Sequence, residues 1–233
     1  MITIYPYEKL GHADHGWLDA RHHFSFARYV DRARMGFGAL RVINDDVVAA
    51  GHGFPAHPHD NMEIITYVRQ GAITHKDSLG NEGRTAAGDV QVMSAGSGVV
   101  HAEQNMEQEN TRLYQIWIEP ASDNIRPQWA QREFPKTPVN DALPLLVSGR
   151  AEDTAKGALV INQDAAIYGG RLKAGGSVTQ PIKHQAYILA SEGEITLDGK
   201  PMKKGDGAEV RDLKSITITA KTDAEVLVID VPE

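Results

Sequence analysis

The sequence predicts an all-β protein built of two copies of one β-sandwich or β-barrel. Three observations support this: short apolar runs alternate with Gly, Asn and Asp, a proline-rich segment divides the chain, and a faint repeat relates the two parts. Many short strands at regular spacing with glycine turns are typical of sandwiches and barrels. The 233 residues are sufficient for one large or two small domains.

The first part of the chain begins without a clear structural period. Residues 1–35 are rich in histidine and aromatic side chains and sustain neither a helical nor a strand pattern, so we predict an irregular arm with short extended pieces. Residues 39–43 predict a strand, and the Asn-Asp-Asp run at 44–46 predicts the turn after it. Further strands are expected at 63–68, 71–75, 88–93 and 113–118.

The division between the two parts is predicted from proline. Pro120, Pro127, Pro135, Pro138 and Pro144 cluster in one segment. Because proline lacks a backbone donor and breaks strand ladders, we predict a linker here and domains of residues 1–135 and 136–233. The second domain repeats the rhythm, with strands expected at 168–172, 186–189, 194–197, 215–219 and 225–230.

Composition excludes several function classes. The formal net charge of −7 argues against general binding of nucleic acid or of anionic membranes, which select basic surfaces. The absence of cysteine excludes disulfides, thiolate metal sites and cysteine nucleophiles. Neither a signal-peptide pattern nor an apolar run of membrane-spanning length is present, so we expect a cytoplasmic protein without membrane contact.

Two short segments of the first domain predict a metal site. His57-Pro58-His59 and His101-Ala102-Glu103 each place two metal-competent side chains at i and i+2, which lie on one face of a strand about 6.6 Å apart. Three imidazoles and one carboxylate without sulfur suit Fe, Mn, Ni, Cu or Zn. The second domain offers only His184 near the corresponding position, so the predicted metal belongs to the first domain alone.

The spacing around these pairs resembles the two motifs of the cupin superfamily. Gly51-(x5)-His57-Pro58-His59-(x3)-Glu63-(x7)-Gly71 resembles the first motif, with one extra residue before its last glycine. Gly88 through His101 to Asn105 resembles the second, although Ser94 stands in place of the usual proline and the loop at 94–98 is longer. These departures affect loop length and leave the ligand-bearing positions intact.

A longer stretch resembles one cupin family, the pirins. The similarity is carried by His12-Ala13-Asp14-His15-Gly16-Trp17, Phe24-Ser25-Phe26, Met35-Gly36-Phe37-Gly38, Leu40-Arg41-Val42-Ile43-Asn44-Asp45-Asp46 and the loop 94–98 that leads to the second ligand pair. The resemblance implies a bicupin, two cupin or jelly-roll barrels in tandem with few short helices. It also implies one metal in the N-terminal barrel, with ligands at His57, His59, His101 and Glu103.

The first-motif glutamate, Glu63, is the rival carboxylate, because many other cupins use that position. We expect Glu63 and Asn105 beside the ligands and not on the metal, since Glu103 has the i, i+2 relation to His101. His75 and His52 are expected near the mouth of the site or next to the ligands.

The function that this resemblance implies is that of a quercetin 2,3-dioxygenase. Such an enzyme cleaves a flavonol-type aromatic substrate with O2, with Fe(II) as the expected metal and Mn, Ni, Cu or Zn as alternatives. Glu103 lies within reach of a metal-held hydroxyl, so we expect it to act also as the catalytic base. The alternative is a non-enzymatic, iron-binding and redox-responsive regulator that acts through protein partners.

Overall fold

A computed structural model describes the backbone of residues 1–233 and every side chain except that of Thr154. The chain divides into two compact units. The first unit comprises Gly11–Phe134 and Leu159–Gln163, and the second comprises Met1–Leu10, Pro135–Ala158 and Asp164–Glu233. In the part of the chain that the structure describes, no helix has the length and apolar character needed to cross a bilayer.

Strands dominate both units. In chain order they begin with β1 (Ile2–Tyr5), β2 (Gly11–Asp14), β3 (Leu18–His22), β4 (Leu40–Val48), β5 (Gly53–His59), β6 (Glu63–Gln70), β7 (Ala72–Asp77), β8 (Glu82–Ala86), β9 (Val90–Ser94), β10 (Val99–Gln104) and β11 (Thr111–Ile118). They continue with β12 (Gln128–Arg132), β13 (Leu145–Ser148), β14 (Leu159–Val160), β15 (Ala166–Leu172), β16 (Ser177–Pro181), β17 (Gln185–Glu192), β18 (Glu194–Leu197), β19 (Lys200–Lys203), β20 (Gly207–Val210), β21 (Ser215–Ala220) and β22 (Ala224–Val231). Short 3-10 helices occur at Tyr7–Lys9 and Ala151–Lys156.

Each unit pairs a larger antiparallel sheet with a four-stranded one. In the first unit the orders are β12-β9-β6-β11-β4-β3-β2 and β5-β10-β7-β8. In the second, the larger sheet runs β1-β20-β17-β22-β15-β13 and the smaller one β16-β21-β18-β19. The predicted fold class, all-β with two cupin barrels and few short helices, is confirmed.

The predicted turn at 44–46 is wrong, because β4 continues through it to Val48. The polar side chains that suggested a turn have partners inside the unit. Asn44 accepts a hydrogen bond at 2.7 Å from the His22 ring, and Asp45 forms a buried ion pair with Arg69. Buried polar groups that find partners of this kind are compatible with a strand, so turn chemistry did not decide the local structure here.

The N-terminal arm and the linker also contain paired strands. β1 lies antiparallel to β20, from Ile2 opposite Val210 to Tyr5 opposite Gly207, so residues 1–10 belong to the second unit and not to the predicted domain of residues 1–135. Within the proline-rich segment, β12 pairs with β9. Pro127 precedes this strand and Pro135 follows it, so the ladder loses no donor within the strand.

A large apolar cluster forms the core of the second unit. Its core contains fully buried aliphatic side chains such as Ile188, Leu197, Ile218 and Val228. Side chains of this type offer no metal ligand, and their burial stabilises the fold through the hydrophobic effect.

Candidate metal centre

Strand pairing brings the predicted ligand segments together. β5 and β10 run antiparallel at one edge of the four-stranded sheet, with His57 directly opposite His101 and His59 opposite Val99. The register shifts between His101 and Glu103, so that Glu103 lies opposite Phe54. Irregularities of this kind redirect side chains, and they are common beside functional sites.

The three imidazoles form a compact cluster. The ring centroid of His57 lies 4.5 Å from that of His101 and 4.8 Å from that of His59, and the His59 and His101 centroids are 5.1 Å apart. One ring nitrogen from each residue lies within 4.8 Å of the other two. Among the described residues, these three histidines are the group of three side chains found close enough to share a metal ion. Its geometry fits a cupin metal site.

The hydrogen bonds of these rings leave suitable nitrogens available. His57 Nδ1 lies 2.7 Å from the carbonyl oxygen of Pro55, which only accepts, so Nδ1 carries the proton and Nε2 keeps its lone pair. His101 Nε2 is buried and has no hydrogen-bond partner among the described residues. A buried nitrogen without a partner is costly in a protein, and a metal ion removes that cost.

The surroundings keep two of the imidazoles neutral. Burial lowers the pKa of His59 to about 4, with a further contribution from His57. Burial, followed by His57 and His59, lowers the pKa of His101 to about 3. Since a metal binds only the neutral ring, both histidines are in the ligand form at neutral pH.

Glu103 lies on β10 together with His101, but its carboxylate has a separate set of hydrogen-bond partners. Its Oε1 accepts hydrogen bonds from the amide of Gln91 at 2.6 Å and the hydroxyl of Thr66 at 3.1 Å, and its Oε2 accepts one from the amide of Gln115 at 2.5 Å. Burial raises the pKa of Glu103. Glu103 lines the same cavity as the three histidines, although it is outside the closely spaced group.

The two other predicted residues have structural contacts. Glu63 is fully buried on β6 and accepts a hydrogen bond at 2.6 Å from Ser94, while its neighbour Ile64 lines the cavity. Because successive side chains alternate along a strand, Glu63 faces away from the cavity. Asn105 holds the turn after β10, where its amide donates to the carbonyls of Val48 and Glu109.

Other histidines of the first unit have local partners. His12 contacts Asp19 at 2.9 Å, His22 contacts Asn44 at 2.7 Å, His52 contacts the carbonyl of Ala50 at 2.9 Å, and His75 contacts Asp77 at 3.0 Å. Of these four, His75 lies against the cluster, since its Nδ1 is 3.4 Å from His101 Nδ1.

The cluster opens into a cavity of about 710 Å³. Apolar side chains form much of its wall, including Phe26, Phe54 and Trp117, and the Trp117 ring packs edge-on against Phe26 at 5.5 Å and His59 at 5.0 Å. Asp46 contributes a polar patch that sequence reasoning missed. The i, i+2 spacing of Asn44, Asp46 and Val48 could have indicated that the three side chains share one face of a strand. The Asn-Asp-Asp run at 44–46 is also typical of a turn, which is what the sequence predicted.

Asp46 is buried, and its Oδ1 has no hydrogen-bond partner among the described residues. Burial raises the pKa of Asp46 well above its ordinary value, and the charges of Asp45 and Glu103 act in the same direction. A carboxyl group of this kind is neutral over a wider pH range than usual, so it offers an O–H donor to the cavity.

Comparison with known proteins agrees with this fold. A family model described as Pirin matches residues 4–118, and one described as Quercetinase C-terminal cupin domain matches residues 145–231. A Pirin-like protein from Caulobacter vibrioides is 52% identical, and the match covers 99% of each chain. The chain belongs to the pirin family. The predicted resemblance to pirins is therefore confirmed.

Other pirin relatives match over their whole length. A protein from Escherichia coli strain K12 named Quercetin 2,3-dioxygenase is 43% identical, and the match covers 100% of this chain and 99% of the relative. The crystal structure of the bacterial pirin YhhW from Escherichia coli in complex with nickel(II) superimposes on this pirin with a TM-score of 0.91 at 42% identity. That match covers 100% of this chain and 99% of the other.

Proposed function

We propose that this pirin is a metal-dependent dioxygenase that cleaves a flavonol-type substrate with O2. The observation that carries the proposal is the convergence of three imidazoles beside a cavity with aromatic walls. Relatives with 43–51% identity named quercetin 2,3-dioxygenase, in part as putative, support the choice of reaction. The fold alone does not support it, because cupin barrels carry many chemistries.

The proposed ligands are His57, His59, His101 and Glu103. The cluster supplies one ring nitrogen from each of three histidines, and each carboxylate oxygen of Glu103 has two lone pairs, of which Oε2 uses one for Gln115. Nitrogen and oxygen donors suit Fe(II), our first choice, as well as Mn, Ni, Cu and Zn. The nickel(II) in the YhhW structure keeps that metal among the candidates. When bound, such an ion supplies Lewis acidity toward a substrate oxygen and reactivity with O2.

The cavity suits a flat aromatic molecule with several hydroxyl groups. Phe26, Phe54 and Trp117 offer ring faces and edges that pack favourably against an aromatic substrate. Asp46 and His22 line the polar part of the wall, where a substrate hydroxyl group finds a hydrogen-bonding partner. A volume of about 710 Å³ lies within the ordinary range for small-molecule sites.

Glu103 is the proposed base for the reacting hydroxyl. Burial raises the pKa of Glu103, so its carboxylate takes a proton more readily than an exposed glutamate does. The amides of Gln91 and Gln115 hold the two oxygens and fix the orientation of the group. By analogy with quercetinases, O2 adds both of its atoms to the substrate, the central ring opens, and carbon monoxide leaves in an amount equal to the O2 consumed.

Oxygen uptake tests the proposal. Protein purified without a histidine tag is stripped with a chelator, reloaded separately with Fe(II), Mn(II), Ni(II) or Cu(II), and mixed with quercetin in an oxygen electrode. We expect metal-dependent oxygen consumption with matching release of carbon monoxide. If the protein binds these metals stoichiometrically and consumes oxygen with none of them, the enzymatic proposal is overturned and the regulatory alternative is favoured.

A further inference from the structure

A buried pair behind the cluster contacts one of its histidines. His75 and Asp77 lie two residues apart on β7, which pairs with β10 so that Asp77 is opposite His101 and His75 is opposite Glu103. His75 is fully buried and stacks on Trp129 with ring centroids 4.9 Å apart. Its Nδ1 lies 3.4 Å from His101 Nδ1, and its Nε2 lies 3.0 Å from Asp77 Oδ2.

Asp77, His75 and His101 form a hydrogen-bonded chain, and the hydrogen bonds of Asp77 define the direction in which protons are donated along it. Asp77 Oδ1 accepts from the backbone N–H groups of Leu79 at 2.9 Å and Asn81 at 3.0 Å. Asp77 Oδ2 accepts from the side-chain amide of Asn81 at 2.8 Å. Because donors surround both oxygens, the carboxylate also accepts from His75, whose Nε2 must then carry the proton. The Nδ1 of a neutral His75 is left with a lone pair.

The same argument applies to the ring of His101. If His75 Nδ1 accepts, the proton between the two rings belongs to His101 Nδ1, and the lone pair of His101 lies on Nε2. His101 Nε2 is the buried nitrogen that has no partner among the described residues. The chain from Asp77 through His75 therefore selects the form of His101 that presents a free lone pair to the cluster.

We propose that His75 and Asp77 are positioning residues that hold His101 as the Nδ1–H tautomer with Nε2 directed to the metal. This inference rests on the proposed metal site and adds to it two residues outside the ligand set. Hydrogen bonds behind a ligating histidine commonly set its tautomer and orientation, and their loss typically weakens metal binding by about 10- to 100-fold.

The substitution Asp77→Asn reverses the direction of donation along the hydrogen-bonded chain and nearly preserves the shape of the side chain. Two backbone N–H groups hold the oxygen of the new amide at the Oδ1 position, so its nitrogen takes the Oδ2 position and donates to His75. The side-chain amide of Asn81, which donates to Oδ2 in the wild type, must then turn over so that its oxygen faces the new nitrogen. His75 then carries its proton on Nδ1 and donates to His101, which is driven to the Nε2–H tautomer. That tautomer has no lone pair for the metal.

Two readouts test this inference without relying on activity. Long-range 1H–15N NMR of metal-free protein reports the tautomer of His101, and chelator competition reports the affinity for Ni(II). We expect the Nδ1–H form in the wild type, the Nε2–H form in Asp77→Asn, and an affinity loss of about 10- to 100-fold in that variant. The control is Asp206→Asn, since Asp206 also accepts backbone N–H bonds, from Tyr7 and Lys203, in the second unit.

A second variant distinguishes an effect of Asp77 that passes through His75 from a local structural effect of the Asp77 substitution. His75→Phe keeps an aromatic ring against Trp129 but breaks the chain, so Asp77→Asn should have no further effect on Ni(II) affinity in that background. Either an Nε2–H tautomer in the wild type or an equal loss in both backgrounds would overturn the inference. Failure of the wild type to bind Ni(II), Fe(II) or Mn(II) would instead overturn the proposed metal site, while the tautomer measurement would still decide the role of His75.

Discussion

His57 of β5 and His101 of β10 lie directly opposite each other on antiparallel strands, with ring centroids 4.5 Å apart. They are 44 positions apart in the sequence, so the backbone ladder and not the local chain creates their contact. The cluster is therefore built into a sheet, which holds metal ligands more precisely than a mobile loop does.

Removal of either histidine should abolish tight metal binding. His57→Ala and His101→Ala each delete one of three converging nitrogens, and the loss should exceed the roughly 10- to 100-fold effect of changes outside the ligand set. Metal content after dialysis, measured by elemental analysis, checks this. His184→Ala is the matched control, because His184 contacts Asp164 in the second unit. Unchanged metal content in the two cluster variants would contradict the proposed site.

The substitution Glu103→Gln should impair turnover more than folding. An amide cannot take the substrate proton, so we expect kcat/KM for quercetin to fall by about 10²- to 10⁴-fold. The new NH2 group also faces the amides of Gln91 or Gln115, which should cost about 1–3 kcal/mol of unfolding free energy. Oxygen uptake and urea unfolding measure the two effects. Glu225→Gln, a buried glutamate of the second unit, is the control, and wild-type turnover in Glu103→Gln would exclude Glu103 as the base.

The stability of the metal-free protein should fall in acid partly through His101. Burial lowers the pKa of His101 to about 3 in the folded state, whereas the pKa of a histidine in the unfolded chain is about 6.5. Below that pH the unfolded chain binds more protons than the folded one, so stability decreases as pH falls toward 3. Between about pH 6 and 4, the wild type should lose up to about 1.4 kcal/mol per pH unit more than His101→Gln.

Urea unfolding in the presence of a chelator, at several pH values, checks this slope. The comparison with His101→Gln removes this one titrating residue, and the other titrating groups are present in both proteins. Parallel stability curves for the two proteins would show that His101 does not stay neutral in the fold.

Loss of the Trp117 ring should weaken substrate binding. Trp117 packs edge-on against Phe26 and His59 at the cavity wall, and aromatic contacts of this kind contribute about 0.5–1.5 kcal/mol each. For Trp117→Ala we expect an increase in KM for quercetin of roughly 2- to 10-fold, corresponding to about one such contact. Steady-state oxygen uptake gives KM, and metal content of the same variant is the control. An unchanged KM would place the substrate elsewhere in the cavity.

Much of the fold could be predicted from the sequence because its signals are local. Short apolar runs between glycine turns are sufficient to predict strands, and the i, i+2 spacing of His57 and His59 predicts a shared face. The second half offers only His184 near the corresponding position, which predicts a domain without a metal site. The core of that unit is aliphatic, with Ile188 and Val228 as examples. Such signals depend on a few neighbouring residues, so they survive without knowledge of the rest of the chain.

The sequence by itself determined the all-β fold class, the family and the residues that are candidate metal ligands. Only the tertiary structure decided that β1 pairs with β20, that the polar run at 44–46 is strand, and that His75 and Asp77 lie behind His101. The physical reason is register: which side chains meet across a sheet depends on the pairing of strands distant in sequence, and a shift of one residue turns each side chain to the other face.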